Sequence, residues 1–244
     1  MGATRPLVVV RNVTRRFGDG AGAVWALRDV SLTVAPAELV TIMGPSGSGK
    51  STLLNLVAGI DEPDTGTVEV DGNVLARMRD AELARLRRRT VAFVFQAMNL
   101  LPTLTAAQNV AVPLRADGMP ARTVAERVAS ALAHVGLTAR AGRYPAELSG
   151  GEMQRTAIAR ALATDARLIL ADEPTGNLDT ARGEEVLDLL RRAVDDDGRS
   201  VLLVTHDLRA SAYGDRMITL RDGRIVDEIR TRVRSSVTSL PERP

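Results

Sequence analysis

The feature that most constrains the fold of this chain is the run GPSGSGKST at residues 44–52. The apolar stretch 38–43 leads directly into this run, and the pattern of residues 51–58 predicts a helix directly after it. Glycines at this spacing let backbone N–H groups turn inward around phosphate oxygens, and the start of the helix adds partial positive charge. A strand, a glycine-rich loop and a helix in this order predict a phosphate-binding loop in an α/β fold.

Lys50 closes the glycine-rich run and is the only lysine among the 32 basic residues of the chain. A compact ammonium on a flexible stem reaches between two phosphates, whereas the planar guanidinium of arginine does not fit there. We therefore predict that Lys50 contacts the β- and γ-phosphates of a nucleotide and that the Ser51 hydroxyl ligates Mg²⁺. The alternative for this segment is a flexible Gly/Ser turn before a helix.

Composition excludes several classes of protein. A chain of 244 residues suits one large α/β domain or a core with an inserted subdomain, and its net charge of +2 argues only weakly for nucleic acid. The absence of Cys excludes disulfides, thiolate metal sites and catalytic thiols. No apolar run approaches the ~20 residues of a membrane-spanning helix, and the first residues lack a signal-peptide pattern. We expect a soluble, cytoplasmic protein that works at a membrane only by docking onto an embedded partner.

The order of predicted elements indicates a parallel sheet with an all-helical insertion. Strand patterns occur at 7–13, 26–34, 38–43, 67–70, 91–95, 168–171, 200–205, 217–221 and 224–229. Helical patterns occur at 51–58, 81–88, 106–112, 122–135, 152–163 and 180–194, and strand signals vanish between about 96 and 163. Strands that alternate with helices predict parallel pairing with right-handed crossovers, and such sheets bind ligands at the carboxyl ends of their strands.

Two further segments carry groups suited to phosphate chemistry. The apolar strand 168–171 ends in two carboxylates: Asp172 is placed to hold Mg²⁺, and Glu173 to polarise an attacking water as a general base. The alternative is a strand that ends in a polar turn. A second glycine-rich turn, LSGGEMQ, opens onto a helix at Ser149, and it offers backbone N–H groups and a hydroxyl but no lysine. Its alternative is a plain helix N-cap.

These segments together identify a family. The set GPSGSGKST, Gln96, LSGGEMQ, LILADEP, Asn177-Leu178-Asp179 and His206, in this order, resembles the nucleotide-binding subunit of an ABC transporter. The resemblance covers roughly residues 5 to 230, and LSGGEMQ upstream of LILADEP separates this family from other P-loop enzymes. It implies a P-loop NTPase (RecA-like) core at about 5–95 and 164–230, with a mainly parallel sheet and an N-terminal antiparallel β part. It also implies a helical subdomain at about 96–163, and we expect residues 231–244 to form a disordered tail.

The resemblance implies that two subunits pair head to tail and enclose two ATP molecules, each between the phosphate loop of one subunit and LSGGEMQ of the other. The implied nucleotide-contacting residues are Phe17, Gly44, Pro45, Ser46, Gly47, Ser48, Gly49, Lys50, Ser51, Thr52, Ser149, Gly150, Gly151, Glu152, Asp179 and His206. The implied ligands of Mg²⁺ are Ser51, Gln96 and Asp172, and the implied catalytic residues are Glu173, His206, Gln96 and Lys50. Phe17 matches the position of the adenine-stacking aromatic residue, with Trp25 as the alternative.

Finer features suggest a branch and a partner. PTGNLD at 174–179 and Asn99-Leu100-Leu101-Pro102 look similar to ATPases of the lipoprotein-releasing and macrolide-export branch, although Ala97 and Met98 depart from the commoner pattern. The resemblance implies a homodimer bound at the cytoplasmic face of the cell membrane through an integral-membrane permease. The competing reading is a soluble ABC ATPase acting on nucleic acid or ribosomes. Such proteins usually carry a coiled coil, a zinc module or tandem cassettes, none of which the sequence indicates. A small-molecule kinase, the third reading, has no use for LSGGEMQ.

Overall fold

The computed structural model describes residues 5–231, except for the side chain of Ala21. The strands are β1 Val8–Phe17, β2 Val24–Val34, β3 Leu39–Met43, β4 Thr65–Val70, β5 Asn73–Val74, β6 Val91–Val94, β7 Leu168–Asp172, β8 Ser200–Thr205, β9 Arg216–Arg221 and β10 Arg224–Arg230. The helices are α1 Lys50–Val57, α2 Asp80–Arg89, α3 Ala106–Ala116, α4 Ala121–His134, α5 Gly150–Leu162 and α6 Thr180–Asp195. None of the helices within 5–231 is long and apolar enough to cross a membrane. Of the predicted tail, residues 232–244 lie outside the described part of the chain.

A six-stranded sheet with the order β10-β9-β3-β8-β7-β6 forms the centre of the molecule. Its neighbours from β9 to β6 pair in parallel, and only the edge hairpin of β9 and β10 is antiparallel. Every residue of β3 and of β8 is buried, as expected for strands covered on both faces. The predicted mainly parallel sheet is therefore confirmed.

The two faces of this sheet belong to two separate apolar clusters. Alternate residues such as Ile169 and Leu203 pack with helices α3–α6, whereas Leu170 and Leu202 pack with α1, α2 and the antiparallel sheet. The alternation follows from the two-residue period of a strand, which sends neighbouring side chains to opposite faces. The apolar runs of the parallel strands thus supply both cores at once.

A second, antiparallel sheet has the order β2-β1-β4-β5 and confirms the antiparallel part expected near the N-terminus. β1 continues to Phe17, four residues beyond the predicted end at Val13. The register shifts between Val10 and Arg16, which breaks the alternation of apolar and polar residues that marks a strand in sequence. The two-residue strand β5 is too short for such a pattern to reveal it.

Between β6 and β7 the described chain contains only α-helices and short 3-10 turns. The pattern predicted a first helix that ends at 112, but α3 continues through Pro113 to Ala116. Proline inside a helix costs roughly 3 kcal/mol because it removes a hydrogen bond and its ring clashes with the preceding turn. Leu114, one residue later, is 1% exposed, and burying a leucine side chain recovers about 1.5–3 kcal/mol. Packing therefore extends this helix past the position where local sequence ends it.

Candidate functional site

The carboxyl ends of four neighbouring parallel strands define one edge of the central sheet. The strands β3, β8, β7 and β6 lie side by side, and the ends of neighbouring strands differ by at most one residue, since Met43 pairs with Thr205, Asp172 with Val204 and Val94 with Ala171. The segments that follow these strands are the glycine-rich loop, His206, Glu173 and Gln96, respectively. Sheet topology thus brings four separate sequence motifs to one edge, as the prediction required.

The glycine-rich loop is packed too tightly to admit side chains at two of its glycines. Gly49 precedes α1 at φ +102°, and a Cβ there would lie 2.1 Å from the backbone oxygen of Ala26. A Cβ on Gly44 would lie 2.2 Å from the backbone oxygen of Leu220. Glycine at both positions lets the loop lie directly against β2 and β9, which fixes the start of α1 and its unpaired N–H groups.

Lys50 is held inside the loop that precedes it. Its side chain is 5% exposed, and its Nζ donates hydrogen bonds of 2.9 Å to the carbonyls of Gly44 and Pro45. The same Nζ lies 3.9 Å from Glu173 Oε1. The Ser48 hydroxyl is also buried, and it has no hydrogen-bond partner among the described residues. A buried ammonium, an orphaned hydroxyl and the helix N-terminus together fit an anionic phosphate group.

The end of β7 carries two carboxylates in different surroundings. Asp172 Oδ1 accepts a hydrogen bond of 3.1 Å from Ser51 Oγ, and burial raises the pKa of Asp172 against the opposing effect of that bond. The charge of Glu173 raises the pKa of Asp172 further. A hydroxyl and a carboxylate are the hard oxygen donors that Mg²⁺ prefers, and a divalent cation here would favour the ionised carboxylate. The donor set therefore fits Mg²⁺.

The described residues hold no cluster of three or more His, Cys, Asp or Glu side chains suited to a metal. A site with one carboxylate and one hydroxyl leaves most positions around a cation to other ligands. Mg²⁺ commonly binds in this way, through one or two carboxylates together with substrate phosphates and water. The site thus suits a cation that arrives with a nucleotide.

Glu173 occupies a strained backbone position between two partners. Its φ is +44°, in the left-handed region that non-glycine residues rarely adopt, and its N–H donates to Val204 O at 2.9 Å. Its Oε2 lies 3.1 Å from His206 Nδ1, and the His206 side chain is 60% exposed. The backbone turn therefore directs the carboxylate sideways, between the lysine of the loop and the histidine after β8.

Gln96 and the segment after Glu173 are in contact. Asn177 Nδ2 donates to Gln96 O at 3.2 Å, and a Cβ on Gly176 would lie 3.0 Å from Gln96 Nε2. Asp179 caps α6 by accepting a hydrogen bond of 3.0 Å from Arg182 N. Gln96 thus lies against the segment that joins Glu173 to the cap of α6.

The LSGGEMQ turn forms a capping box at the start of α5. Ser149 is exposed and caps the helix, with Oγ accepting from Glu152 N at 3.3 Å and Glu152 Oε2 accepting from Ser149 N at 2.8 Å. Arg140 Nε donates to Glu152 Oε1 at 2.8 Å, and these bonds lower the pKa of Glu152 to about 2. A Cβ on Gly150 would meet nothing within 4 Å. Among the described residues no hydrogen bond or ion pair joins this turn to the glycine-rich loop.

Both candidate aromatic residues lie on the surface of the antiparallel sheet. Phe17 is 45% exposed and Trp25 is 43% exposed. The guanidinium of Arg15 lies 4.8 Å from the ring centre of Phe17, and that of Arg16 lies 5.7 Å from the ring centre of Trp25. The two rings are on neighbouring strands, where Arg16 pairs with Trp25, so both remain candidates for stacking on a base.

Two arginines at the site were not anticipated from sequence. Arg140 supports the LSGGEMQ turn, and Arg160 of α5 donates to the carbonyls of Met98 and Asn99 beyond Gln96. Neither stands in a motif, and their partners lie 12 to 62 residues away along the chain. In a chain where nearly every basic residue is arginine, composition gives no sign of which ones are placed in this way.

Comparison with known proteins gives a consistent result. A family model described as "ABC transporter" matches residues 27–176. The chain is 46% identical over 226 residues to the macrolide export ATP-binding/permease protein MacB 1/2 of Paracoccus denitrificans, covering 93% of this chain and 34% of that protein. It is 42% identical over 230 residues to the ABC transporter ATP-binding protein MJ0796 of Methanocaldococcus jannaschii, covering 93% and 98% of the two chains.

A solved structure agrees with these relatives. The dimeric post-hydrolysis state of the ATP-binding cassette MJ0796 with ADP and Pi superposes with a TM-score of 0.86 at 41% identity, covering 93% of this chain and 99% of that one. The chain thus matches the full length of one relative, whereas it spans about a third of the length of the MacB proteins.

Proposed function

The chain belongs to the ABC transporter family, and from that premise we propose that it is an ATP-binding and ATP-hydrolysing motor subunit. Two copies pair head to tail around two MgATP and drive a membrane permease partner for export or mechanotransmission. One observation carries the proposal: the chain holds two phosphate cradles that do not meet. Lys50 of the loop is buried inside the chain, whereas Ser149 of the turn is exposed and a Cβ on Gly150 would meet nothing within 4 Å. A second copy in head-to-tail arrangement brings the two cradles together.

Each side chain of the loop half has a role that its position supports. Lys50 binds the β- and γ-phosphates, exchanging its bonds to the Gly44 and Pro45 carbonyls for bonds to phosphate oxygens. Ser51, Asp172 and Gln96 hold Mg²⁺. When bound, Mg²⁺ neutralises charge on the phosphate oxygens.

The hydrolytic step depends on Glu173 and the side chains around it. Glu173 accepts a proton from the attacking water as a general base, and it is aimed by its strained backbone and by His206 at 3.1 Å. His206 contacts the γ-phosphate. Ser149, Gly150 and Gly151 of the opposite copy approach the same phosphate with their backbone N–H groups and the dipole of α5. Hydrolysis therefore requires both copies, whereas binding requires one.

The permease partner docks in a groove beside Gln96. A cavity of about 340 Å³ is lined mainly by apolar side chains, together with three arginines. Its lining residues include Phe93, Phe95, Asn99, Pro113, Arg87 and Arg160. An apolar lining with added basic groups suits a short amphipathic segment of a membrane protein. The MacB relatives carry ATP-binding and permease in their name, which supports a permease as the partner of this chain. Through it the subunit lies at the cytoplasmic face of the membrane.

We assign the nucleotide-binding domain to residues 5–230. The RecA-like core comprises about 5–95 and 164–230, and the helical subdomain about 96–163. The helices α3, α4 and α5 support this division. They follow one another in the chain between β6 and β7, they pack against each other, and the LSGGEMQ turn opens the last of them. Phe17 stacks on adenine, with Trp25 as the alternative.

The test is the variant Glu173→Gln, which keeps the size of the side chain and removes its basicity. We expect kcat for MgATP hydrolysis to fall by about 10²–10⁴-fold, the usual contribution of a general base. The ATP affinity of the single chain stays close to that of the wild type, because the phosphate loop is intact. Steady-state hydrolysis and calorimetric titration with ATP check both expectations. Turnover at the wild-type rate would remove Glu173 from this role.

A further inference from the structure

The segment that follows Gln96 is fixed by side chains from two other parts of the site. Asn177, four residues after Glu173, donates to the carbonyl of Gln96 at 3.2 Å. Arg160 of α5 donates through Nη1 to Asn99 O at 2.6 Å and through Nη2 to Met98 O at 2.7 Å. The segment 96–99 is therefore bonded both to the loop that follows β7 and to α5, the helix that Ser149 caps.

The backbone of this segment is shaped for the Arg160 side chain. Met98 and Asn99 have φ angles of +58° and +48°, in the left-handed region. Two successive residues in that conformation form part of a left-handed turn, so their carbonyls point in nearly the same direction. The planar guanidinium fork of arginine presents two parallel N–H groups, which match two parallel acceptors. The Arg160 contact thus holds together a backbone conformation that non-glycine residues seldom adopt.

The charge of Arg160 has no acidic counterpart. Burial lowers its pKa, and within residues 5–231 no carboxylate lies at ion-pair distance from it. Other arginines near this region, such as Arg155 with Glu185, form ion pairs. A partly buried guanidinium bonded only to backbone carbonyls is suited to fixing a loop rather than to balancing charge.

Helix α5 joins this contact rigidly to the LSGGEMQ turn. Arg160 lies eleven residues after Ser149 on one unbroken helix, a distance of about 16 Å at 1.5 Å per residue. Ala157, Ile158 and Ala159 are fully buried along its path, so the helix cannot bend without losing packing. Arg160 and Asn99 also line the groove beside Gln96.

We propose that Arg160 is a positioning residue that makes the Gln96 segment and the Ser149 end of α5 move as one unit. The inference rests on the proposed function, in which the groove receives the permease and Ser149 faces ATP of the opposite copy. Displacement of Met98 and Asn99 by the partner then shifts Ser149 in the same direction, and closure of the ATP site shifts the groove.

The experiment compares Arg160→Ala with the matched control Arg199→Ala in the full chain. Arg199 likewise donates hydrogen bonds to backbone carbonyls, here at the end of α5 and two residues beyond it, at 3.3 Å to Ala161 O, 2.8 Å to Leu162 O and 2.9 Å to Thr164 O. Burial lowers its pKa as well, but it has no bond to the segment 96–99. Each variant loses guanidinium–carbonyl hydrogen bonds that involve α5, and only Arg160→Ala loses the bonds to Met98 and Asn99. The readouts are Tm, kcat and KM for MgATP hydrolysis.

We expect Tm to fall by a similar amount in both variants, and KM for ATP to stay within about threefold of the wild-type value. Only in Arg160→Ala should kcat fall, by about tenfold or more. Arg160→Lys, which keeps the charge but lacks the fork, should fall between wild type and Arg160→Ala. If Arg160→Ala fails to fold, Arg160→Lys is compared with Arg199→Ala instead.

Two results would contradict the inference. In the first, the Arg160 variant loses as much Tm as Arg199→Ala but keeps the wild-type kcat. In the second, both variants lose kcat equally. Both outcomes leave the proposed function standing, because the wild type still hydrolyses ATP. Absence of hydrolysis in the wild type contradicts the proposed function itself, and the inference with it.

Discussion

The two phosphate cradles of this chain differ in how they are supported. In the loop at 44–52, side chains at Gly44 or Gly49 would meet backbone oxygens at 2.2 and 2.1 Å, and Lys50 is 5% exposed. At the LSGGEMQ turn, Ser149 is exposed and a side chain at Gly150 would meet nothing within 4 Å. The first cradle is built against its own sheet, whereas the exposed end of the second is held by its own cap and by the bond from Arg140 to Glu152.

This difference assigns glycine two distinct purposes in one molecule. In the loop, glycine is required by the fold, because the backbones of β2 and β9 leave no room for a side chain. At Gly150 of the turn, glycine leaves a space that the chain itself does not use, whereas a Cβ on Gly151 would lie 2.9 Å from Arg182 Cδ. An unused space beside a capped helix N-terminus suits an anion and a second protein surface. The comparison therefore predicts that changes in the first cradle act on the single chain, and changes in the second act on assembly.

The largest effect that separates the cradles is on ATP affinity. Lys50→Ala removes charge-assisted hydrogen bonds worth about 1.5–3 kcal/mol, so the affinity of the single chain for ATP should fall about 10- to 150-fold. Ser149→Arg leaves that loop intact and should keep the affinity within about twofold. Calorimetric titration at low protein concentration measures both. Equal losses in the two variants would mean that one chain already uses both cradles.

A smaller effect is expected on the stability of the nucleotide-free chain. Gly49→Ala forces a Cβ at φ +102° against the Ala26 carbonyl, and backbone strain alone should cost about 1–3 kcal/mol of the free energy of unfolding. Gly150→Ala replaces a half-buried glycine in a helix, where a Cβ meets nothing within 4 Å, and should leave stability unchanged or raise it by up to about 1 kcal/mol. Urea unfolding of both variants provides the measurement. A destabilised Gly150→Ala chain would show that the turn is not open.

The smallest effect concerns the electrostatic support of the second cradle. Arg140 and the Ser149 N–H lower the pKa of Glu152 to about 2, below the ordinary value of about 4.3. A lowered pKa in the folded state stabilises the fold above the unfolded pKa, and that stability is lost as pH falls towards 2. We expect Glu152→Gln to cost about 1 kcal/mol at pH 6 and nothing near pH 2. Unfolding curves of the wild type and Glu152→Gln between pH 6 and pH 2 check this. A stability difference between the two that does not change with pH would contradict the role given to the Glu152 carboxylate.

Much of this comparison was accessible from sequence, for a physical reason. The glycine-rich loop, the strand with Asp172 and Glu173, and the LSGGEMQ turn are local patterns, since each residue acts through neighbours a few positions away. Once the strands are parallel, their carboxyl ends must share one edge, and the site follows. Continuous apolar runs predicted the strands of the central sheet closely, because both faces of those strands are buried.

The parts that sequence did not reveal depend on distant contacts. Arg160 contacts residues 61 and 62 positions away, and nothing near it in the chain distinguishes it from the other arginines. The extension of α3 past Pro113 depends on burial of Leu114 by other elements, which opposes the local effect of proline. The end of β1 was missed because its register shifts interrupt the alternation. In each case tertiary packing overrides the local pattern.

The central claim is that the two phosphate cradles meet only when two copies of the chain pair. The most direct test is to measure the mass of the Glu173→Gln variant in solution by light scattering, with and without MgATP. We predict that the mass doubles with MgATP and that Ser149→Arg added to this variant keeps it at the mass of one chain. A Glu173→Gln chain that stays monomeric with MgATP at high protein concentration contradicts the account. Doubling that survives Ser149→Arg contradicts it equally.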